Sequence, residues 1–255
     1  MVIGDSTFLV TGGSSGFGAA VGRLLLERGA NVAFADIDLK GAQAEAVRNA
    51  ERGFAVRVDV TDGGSVEEAV TSVTSRFGPL RGVVNCAGIA PAQRIIGREG
   101  PHSLDLFAKV VSVNLIGTFN VMRIAAAAMA GNELDAHGER GVIINTASVA
   151  AFDGQIGQAA YAASKGGVVS LTLPAARELG RHAIRVVTIA PGIFETPMLR
   201  GMPEEVQKAL GEGVPFPQRL GRPGEFASLV GHIAENAYLN GEVIRLDGAL
   251  RMAPR

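Results

Sequence analysis

Short apolar runs alternate with longer helical stretches along the chain, and this alternation constrains the fold more than any other feature. The runs read as strands are Thr7–Thr11, Asn31–Asp36, Ala55–Val58, Gly82–Asn85, Val142–Thr146, Arg185–Ile189 and Glu242–Leu246. Strands that are apolar almost without interruption are buried on both faces, which is typical of a parallel sheet. Helical periodicity between them, as in Ala19–Arg28 and Val66–Phe77, predicts repeated strand–helix–strand units. The sequence therefore predicts one α/β domain over residues 1–255, with a doubly wound, parallel, seven-stranded sheet.

Composition and charge exclude several classes of function. The chain has 24 basic and 25 acidic side chains, so it has neither a basic footprint for nucleic acid nor an acidic tail. The single cysteine, Cys86, allows no intrachain disulfide and is read as a core thiol in a reducing compartment. No apolar run is read as a membrane span, and the first strand begins too early for a cleavable leader. We therefore expect a soluble, cytoplasmic protein that binds neither nucleic acid nor a membrane.

Two segments interrupt the alternation of strands and helices. Residues Gly131–Arg140 are polar and predict a surface insertion. Residues Gly192–Gln218 carry four prolines and follow the end of a strand, where open α/β sheets bind ligands. We interpret this second segment as a lid. Its apolar side chains would suit an acyl tail or would simply pack on the core; they are Ile193, Phe194, Met198, Leu199 and Met202.

A glycine-rich run after the first strand predicts a dinucleotide site. The run Thr11-Gly-Gly-Ser-Ser-Gly-Phe-Gly18 connects this strand to the first helix. Glycines let the backbone approach a pyrophosphate, and the helix N-terminus offers free N–H groups and the positive end of a dipole. The predicted cofactor contacts in this run are Gly12, Ser14, Ser15, Gly16, Phe17 and Gly18.

Carboxylates at the ends of the next strands predict the rest of the adenosine subsite. Asp36 can accept from both hydroxyls of an adenosine ribose and would repel a 2′-phosphate, which favours NAD over NADP. Asp36 could instead cap a helix, although Asp38 can serve that role equally well. Asp59 could accept from the adenine amino group or cap the helix that starts near Gly64. Further contacts are predicted at Val60, Asn85, Ala87 and Gly88, with Asn85 acting more to join adjacent loops.

Tyr161 and Lys165 lie four residues apart, so a helix would place them on one face. The ammonium of Lys165 favours the phenolate and is predicted to lower the pKa of Tyr161. Ser148 follows the fifth predicted strand and could hold a substrate oxygen while Tyr161 exchanges its proton. Ser148 could also be a turn cap.

Other polar residues near these positions are weaker candidates. Asn114 lies in an apolar helical run, Val110–Met122, where it could reach Lys165 through a water molecule or be a satisfied core residue. Gln155 and Gln158 precede Tyr161 and could edge a substrate pocket. No metal site is predicted, because no metal-ligand spacing relates the four histidines: His102, His137, His182 and His232.

Together these motifs resemble the short-chain dehydrogenase/reductase family over the whole chain. The residues that carry the resemblance are the glycine-rich loop, Asn85-Cys-Ala-Gly88, Asn114, Ser148, the Tyr161/Lys165 pair and Pro191-Gly192. A narrower resemblance is to the 3-hydroxyacyl-CoA dehydrogenase type 2 group. It lies in residues 140–151, 154–161, 214–217 and 239–248, and in the insertion Gly131–Arg140.

The resemblance implies a Rossmann fold, NAD as the cofactor and a homotetramer that oxidises 3-hydroxyacyl-CoA and also accepts some hydroxysteroids. It implies Ser148, Tyr161 and Lys165 as catalytic residues, with Asn114 as a relay. Tyr161 and Lys165 would also bind the cofactor, and Ser148 and Tyr161 the substrate. It adds cofactor contacts at Pro191, Gly192, Phe194 and Thr196, the last of these on the nicotinamide carboxamide.

Alternatives remain open at this stage. A 3-oxoacyl-carrier-protein reductase of the same fold is disfavoured by Asp36 and by the neutral charge balance. A hydroxysteroid or sugar-alcohol dehydrogenase is a second alternative. An NAD-sensing scaffold without turnover is disfavoured by the intact Ser148, Tyr161 and Lys165. Animal members of the resembling group are mitochondrial, whereas we expect this chain in the cytoplasm. For a tetramer, the predicted contact helices lie in Ser103–Met129 and Gln158–Leu179.

Overall fold

The computed structural model describes residues 1–98, 100–200 and 204–254, without the side chains of Met198 and Arg200. Its strands are β1 (Thr7–Thr11), β2 (Asn31–Asp36), β3 (Gly53–Arg57), β4 (Leu80–Asn85), β5 (Ile96–Gly97), β6 (Gly100–Pro101), β7 (Gly141–Thr146), β8 (Ile184–Pro191) and β9 (Val243–Leu246). Seven of them form one parallel sheet in the order β3-β2-β1-β4-β7-β8-β9, and β5 and β6 form a small hairpin. The predicted fold class is confirmed.

The helices cover both faces of this sheet. They are α1 (Gly16–Glu27), α2 (Leu39–Ala46), α3 (Gly63–Phe77), α4 (Leu104–Val111), α5 (Gly117–Ala130), α6 (Ala159–Leu179), α7 (Pro197–Arg200), α8 (Glu204–Glu212) and α9 (Pro223–Glu235). A π-helical turn, Ser112–Ile116, joins α4 to α5. Short 3₁₀ turns occur at Val47–Asn49, Val149–Ala151 and Gly180–His182.

Side chains that alternate along the strands divide the core into two layers. Phe8 and Phe34 pack on one face with Phe226 of α9, whereas Leu9 and Ile143 pack on the other face with α3 and α5. Every residue of β1, β7 and β8 is buried, which is the reason these strands are predominantly apolar. The strand order reverses between β1 and β4, and open sheets of this kind bind ligands at the carboxyl edge beside such a reversal.

One helical stretch, Leu104–Ala130, is long and apolar enough to cross a membrane by length and composition. The expectation that no segment would reach this length was wrong. Of its most apolar window, 56% is buried inside the domain. A core helix passes the same test, so its composition follows from packing against the sheet.

The insertion between α5 and β7 is only partly a surface feature. Glu139, near its end, is 7% exposed, and its two carboxylate oxygens accept from Nε and Nη2 of Arg185 at 3.2 Å each. Arg185 also donates to the carbonyl oxygens of Ile233, Ala234 and Leu239. A buried charge pair is stable only when hydrogen bonds offset the cost of its desolvation. Arg185 makes these bonds, and they hold the end of the insertion against β8 and α9.

Candidate active site

A cavity of about 570 Å³ lies along the carboxyl edge of the sheet, within the usual size range of ligand sites. The predicted site residues that line it are Gly12, Ser14, Ser15, Gly16, Phe17, Gly18, Asp36, Asp59, Val60, Ala87, Gly88, Tyr161, Lys165, Pro191 and Thr196. The lining residues that sequence reasoning missed are Ala35, Ile37, Val58, Cys86, Ile89, Lys109, Val113, Thr146, Ala147 and Pro197. Several of these lie next to a predicted residue in the sequence, and that adjacency could have identified them. Lys109 and Val113 come from α4 and the π turn, which only the fold brings to the cavity.

The glycine-rich loop has the geometry that a pyrophosphate requires. Gly12 and Gly16 have φ angles of 64° and 53°, in the left-handed region that favours glycine. A Cβ on Gly12 would lie 2.9 Å from the Ala87 nitrogen, and a Cβ on Gly18 would overlap the Gly12 carbonyl oxygen. Helix α1 has no side-chain cap at Ser15, so no side chain occupies its first N–H groups. These residues fit the phosphates of a dinucleotide.

Asp36 fastens the glycine-rich loop to the end of β2. Its Oδ2 accepts from the Ser14 backbone N–H at 3.0 Å, and its Oδ1 accepts from the Asp38 N–H at 3.0 Å. Helix α2 is capped by Asp38, which accepts from the Gly41 N–H. The reading of Asp36 as a helix cap was therefore wrong. Its carboxylate lies on the cavity wall.

Asp59 belongs to a tight turn rather than to a helix cap. Its Oδ1 accepts from the backbone N–H of Thr61 at 2.9 Å and from the Thr61 hydroxyl at 2.7 Å. These bonds, the hydroxyl first, lower the pKa of Asp59. The cap of α3 is Asp62, which accepts from the Gly64 N–H. Asp59 thus presents an ionised carboxylate at the cavity.

Three predicted cofactor contacts do not lie on the cavity wall. Asn85 is buried and donates to Asn145 Oδ1 at 2.9 Å, so it joins β4 to β7 behind the wall. Gly192 donates its N–H to the Leu246 carbonyl, and a Cβ there would lie 2.9 Å from the Asp247 Cα. Phe194 is 6% exposed and belongs to the core. Strand pairing and core packing use these residues, which agrees with the joining role expected for Asn85; cofactor contact by the three stays a prediction.

Phe194 instead anchors the lid. Its ring lies edge-on to Phe17 with 5.1 Å between centroids, and Phe17 stacks on Phe226 at 4.3 Å. Leu199 is also buried, and Ile193 lines a separate small cavity. The packing interpretation therefore holds for Phe194 and Leu199. Met202 and the side chain of Met198 lie outside the described residues.

Tyr161 and Lys165 share one face of α6, as predicted. The Lys165 ammonium lies 5.9 Å from the centre of the Tyr161 ring and donates to the Thr146 carbonyl at 2.7 Å. Ser148 is buried beside them, and its hydroxyl accepts from the Ala150 N–H at 3.1 Å. Ser148 is thus a turn cap and also a neighbour of the phenol.

Burial controls the ionisation of this pair. It raises the pKa of Tyr161, and the Ser148 side chain acts in the opposite direction. Burial lowers the pKa of Lys165 to about 8. The prediction that Lys165 would lower the phenol pKa was wrong for the protein alone, because desolvation dominates and the ammonium is directed at Thr146.

Asn114 is fully buried in the π turn, and its amide is satisfied. Its Oδ1 accepts from the Ile89 N–H at 2.8 Å, and its Nδ2 donates to the Ile89 carbonyl and to the Ser164 hydroxyl. A Cβ on Gly88 would lie 3.1 Å from Asn114 Oδ1 and 3.7 Å from the Lys165 ammonium. The structure therefore brings Asn114 close to Lys165 without a direct bond, in a kind of turn that is frequent at functional sites.

The predicted substrate contacts Gln155 and Gln158 bond mainly to each other. Gln158 Oε1 accepts from the Gln155 N–H at 3.0 Å, and the Gln155 side chain donates to the Ala253 carbonyl. Neither residue lines the main cavity. The structure therefore does not bring them to the site.

Two further predictions concern metal sites and the thiol of Cys86. No cluster of metal-ligating side chains occurs among the described residues. Burial raises the pKa of the Cys86 thiol to about 12, and the Thr146 hydroxyl lies 3.7 Å from its sulfur. Cys86 is thus a neutral thiol.

Comparison with known proteins agrees with this geometry. Residues 6–207 match the family described as short chain dehydrogenase. The chain is 50% identical to 3-hydroxyacyl-CoA dehydrogenase type-2 of Drosophila melanogaster over 99% of this chain and 100% of that protein. It is also 50% identical to the Homo sapiens protein of the same name, over 96% of this chain and 95% of that protein.

A solved structure from Mycobacterium avium, 3-hydroxyacyl-CoA dehydrogenase type-2, has the same fold. It superposes with a TM-score of 0.94 at 42% identity, covering 98% of this chain and 97% of that chain. The family match, the full-length relatives and the shared fold agree with the glycine-rich cradle and the Tyr161/Lys165 pair. The chain belongs to the short-chain dehydrogenase family.

Proposed function

We propose that this protein interconverts 3-hydroxyacyl-CoA and 3-oxoacyl-CoA with NAD(H). The observation that carries the proposal is the grouping of Tyr161, Lys165 and Ser148 beside a dinucleotide-shaped cavity that has the Asp36 carboxylate on its wall. The relatives named 3-hydroxyacyl-CoA dehydrogenase type-2 support the acyl-CoA part, since they match over nearly the whole chain.

The residues divide the chemistry between them. The dinucleotide supplies, when bound, the acceptor for the hydride that leaves the alcohol carbon. In the oxidative direction the phenolate form of Tyr161 takes the hydroxyl proton as the carbonyl forms, and the Ser148 hydroxyl holds the same substrate oxygen. Because burial raises its pKa, Tyr161 is neutral near pH 7 and is ready to donate in the reductive direction. Lys165, with a pKa of about 8, can exchange a proton close to working pH.

Asp36 supports NAD rather than NADP. Its carboxylate lies on the cavity wall at the end of β2, where it can accept from two ribose hydroxyls. A 2′-phosphate in the same place would meet this negative charge and that of Asp59 across the same cavity.

Two arginines at the β5–β6 hairpin favour a substrate that carries phosphate groups. The hairpin is held to the segment before Tyr161 by the Gln93 N–H, which donates to the Gly157 carbonyl at 2.9 Å. Arg94, two residues before β5, and Arg98, in the turn of the hairpin, are exposed, and neither forms an ion pair within the described part of the chain. Their guanidinium groups are available for the phosphates of coenzyme A.

A steady-state screen tests the proposal. NAD(H) and NADP(H) are compared with acetoacetyl-CoA, a longer 3-oxoacyl-CoA, the matching N-acetylcysteamine thioester and a hydroxysteroid. We expect NADH and acyl-CoA to have the highest kcat/KM, with the thioester that lacks the nucleotide well below. A steroid preference, or equal rates with both thioesters, would contradict the acyl-CoA assignment.

Assembly as a homotetramer is part of the same proposal. The α4–α5 stretch exposes Leu104, Ile116 and Phe119 by 78%, 53% and 50%, and α6 exposes Leu173 by 45%. Apolar residues this exposed on neighbouring helices are typical of a contact surface. Light scattering should give a mass four times that of the chain, and Phe119→Glu should lower it; a monomer mass for the unmodified protein would overturn the proposal.

We also propose a cytoplasmic location, which cell fractionation would test.

A further inference from the structure

The connection between β3 and α3 forms one wall of the cavity through Val58, Asp59 and Val60. Its shape is set internally. Asp59 accepts from Thr61, the Asp59 N–H donates to the Ser65 hydroxyl, and the Asp62 N–H donates to the Asp59 carbonyl. These bonds fold the turn but do not fix where it stands relative to the rest of the cavity.

The start of the connection is held to β2, because the Val58 N–H donates to the Asp36 carbonyl at 2.9 Å. Its other end, at Val60, is held by Asn120 of α5. Asn120 is 6% exposed, and its Nδ2 donates to the Val60 carbonyl at 2.9 Å. Its Oδ1 accepts from Nε and Nη2 of Arg123 at 3.0 and 2.7 Å. A guanidinium has only donors, so the amide oxygen must face Arg123 and the amide nitrogen must face Val60. The orientation of the amide is thereby determined.

The same turns of α5 contact both ends of the connection. A Cβ on Gly117 would lie 2.6 Å from Val60 Cγ2, so the absence of a side chain lets Val60 approach the helix. A Cβ on Gly63 would lie 3.1 Å from the Arg123 guanidinium, at the first residue of α3. Asn120 itself does not line the cavity.

We propose that Asn120 is a positioning residue for the adenosine half of the cofactor, acting through the Val60 carbonyl. The inference rests on the proposed use of NAD(H). Without the Asn120 donor, the Val60 carbonyl loses its hydrogen bond from α5. The cavity wall beside Asp59 is then no longer hydrogen-bonded to this helix. Affinity for the adenosine half should fall, while the nicotinamide half, held by other elements, should be unaffected.

The test variant is Asn120→Asp. It keeps the size of the side chain and an acceptor for Arg123, and it removes the donor to Val60. The matched control is Asn132→Asp, because Asn132 also donates to a backbone carbonyl, that of Leu80 at 2.7 Å, at the opposite edge of the sheet. Binding is titrated with NADH and with reduced nicotinamide mononucleotide, which lacks adenosine.

We expect Asn120→Asp to raise the Kd of NADH by roughly tenfold, the order expected for one lost buried hydrogen bond. The Kd of the mononucleotide and kcat at saturating cofactor should stay unchanged, and Asn132→Asp should change neither Kd. In the cofactor-free variant, the amides of residues 60–65 should exchange hydrogen faster. Arg123→Met, which leaves the Val60 bond but frees the amide to rotate, should give a smaller effect of the same sign.

Other outcomes would overturn the inference. Equal losses for both nucleotides would make Asn120 a general structural residue, and an unchanged Kd for NADH would remove its role. If Asn120→Asp does not fold, Arg123→Met decides, since an unchanged Kd for NADH in that variant would also count against the proposal. An unmodified protein that binds no NADH would instead overturn the proposed function.

Discussion

The proposed cofactor half and substrate half of the site are formed by different kinds of loop. The cofactor half consists of short connections between buried strands and helices, with Asp36 and Asp59 each held by two hydrogen bonds. The proposed substrate half consists of the β5–β6 hairpin and the lid, where Ile96 and Phe216 are each 81% exposed. The cofactor half is thus held by internal hydrogen bonds, whereas the proposed substrate half exposes large apolar side chains at these two positions.

The two halves meet at the stem of the lid. The Gly221 N–H donates to the Ile193 carbonyl and the Glu195 N–H donates to the Gly221 carbonyl, so the stem is closed by the backbone. Phe194 in this stem contacts Phe17 of the glycine-rich loop. The lid is therefore held by backbone hydrogen bonds where it leaves the cofactor half.

The largest expected effect is at Tyr161, on the cavity wall. Tyr161→Phe keeps the ring packing and removes the proton acceptor, so kcat should fall by at least about 10²–10⁴-fold, the range typical of acid–base groups. The Kd of NADH should stay unchanged. Lys165→Ala should weaken both turnover and NAD binding. Retention of most of the turnover in Tyr161→Phe, with native circular dichroism, would remove Tyr161 from its proposed role.

A change confined to the cofactor half should alter only cofactor choice. Asp36→Asn removes the charge and keeps an acceptor for the Ser14 N–H. The ratio of kcat/KM for NAD over NADP should narrow by roughly tenfold or more. Asp38→Asn is the control, because that carboxylate caps α2 and does not line the cavity. Comparable kcat/KM for both cofactors in the unmodified protein would contradict the proposed role of Asp36.

A change confined to the substrate half should alter only substrate affinity. Replacing Arg94 and Arg98 by Gln should raise KM for acyl-CoA about threefold to tenfold, since exposed charge pairs contribute modestly. KM for the N-acetylcysteamine thioester and the Kd of NADH should not change. Arg181→Gln, in the turn at the amino edge of β8, is the control. An equal rise in KM for both thioesters would mean that the hairpin acts without contacting phosphate.

The smallest effect is a shift in the ionisation of Tyr161. The chain has two tyrosines and no tryptophan, so near-ultraviolet absorbance in Tyr238→Phe reports Tyr161 alone. Because burial raises its pKa, the phenolate of Tyr161 should form at higher pH than that of free tyrosine, whose pKa is about 10. Adding NAD⁺ should lower this pKa, since the nicotinamide ring is positive. Titration of Tyr161 below the pKa of free tyrosine in the protein alone would show that Lys165, not burial, controls the pKa of the phenol.

Much of the cofactor half could be predicted because its signals are local. Glycine spacing after a strand and the position of Asp36 depend on residues close together in sequence, and the structure places them on the cavity wall. Gln155 and Gln158 are the opposite case, and their contact with substrate stays a prediction. Their nearness to Tyr161 in sequence is real, but their bonds to each other and to Ala253 depend on where the end of the chain lies.

The sequence by itself determined the alternation of strands and helices, the glycine-rich cradle and the shared face of Tyr161 and Lys165, because each follows from local spacing and periodicity. Only the tertiary structure decided which carboxylates cap helices, that Asn85 lies behind the cavity wall, and that burial raises the pKa of Tyr161. It alone joined Asn120 to Val60 across 60 residues of sequence. Desolvation and hydrogen-bond partnership depend on segments that are distant in sequence, so no local pattern can specify them.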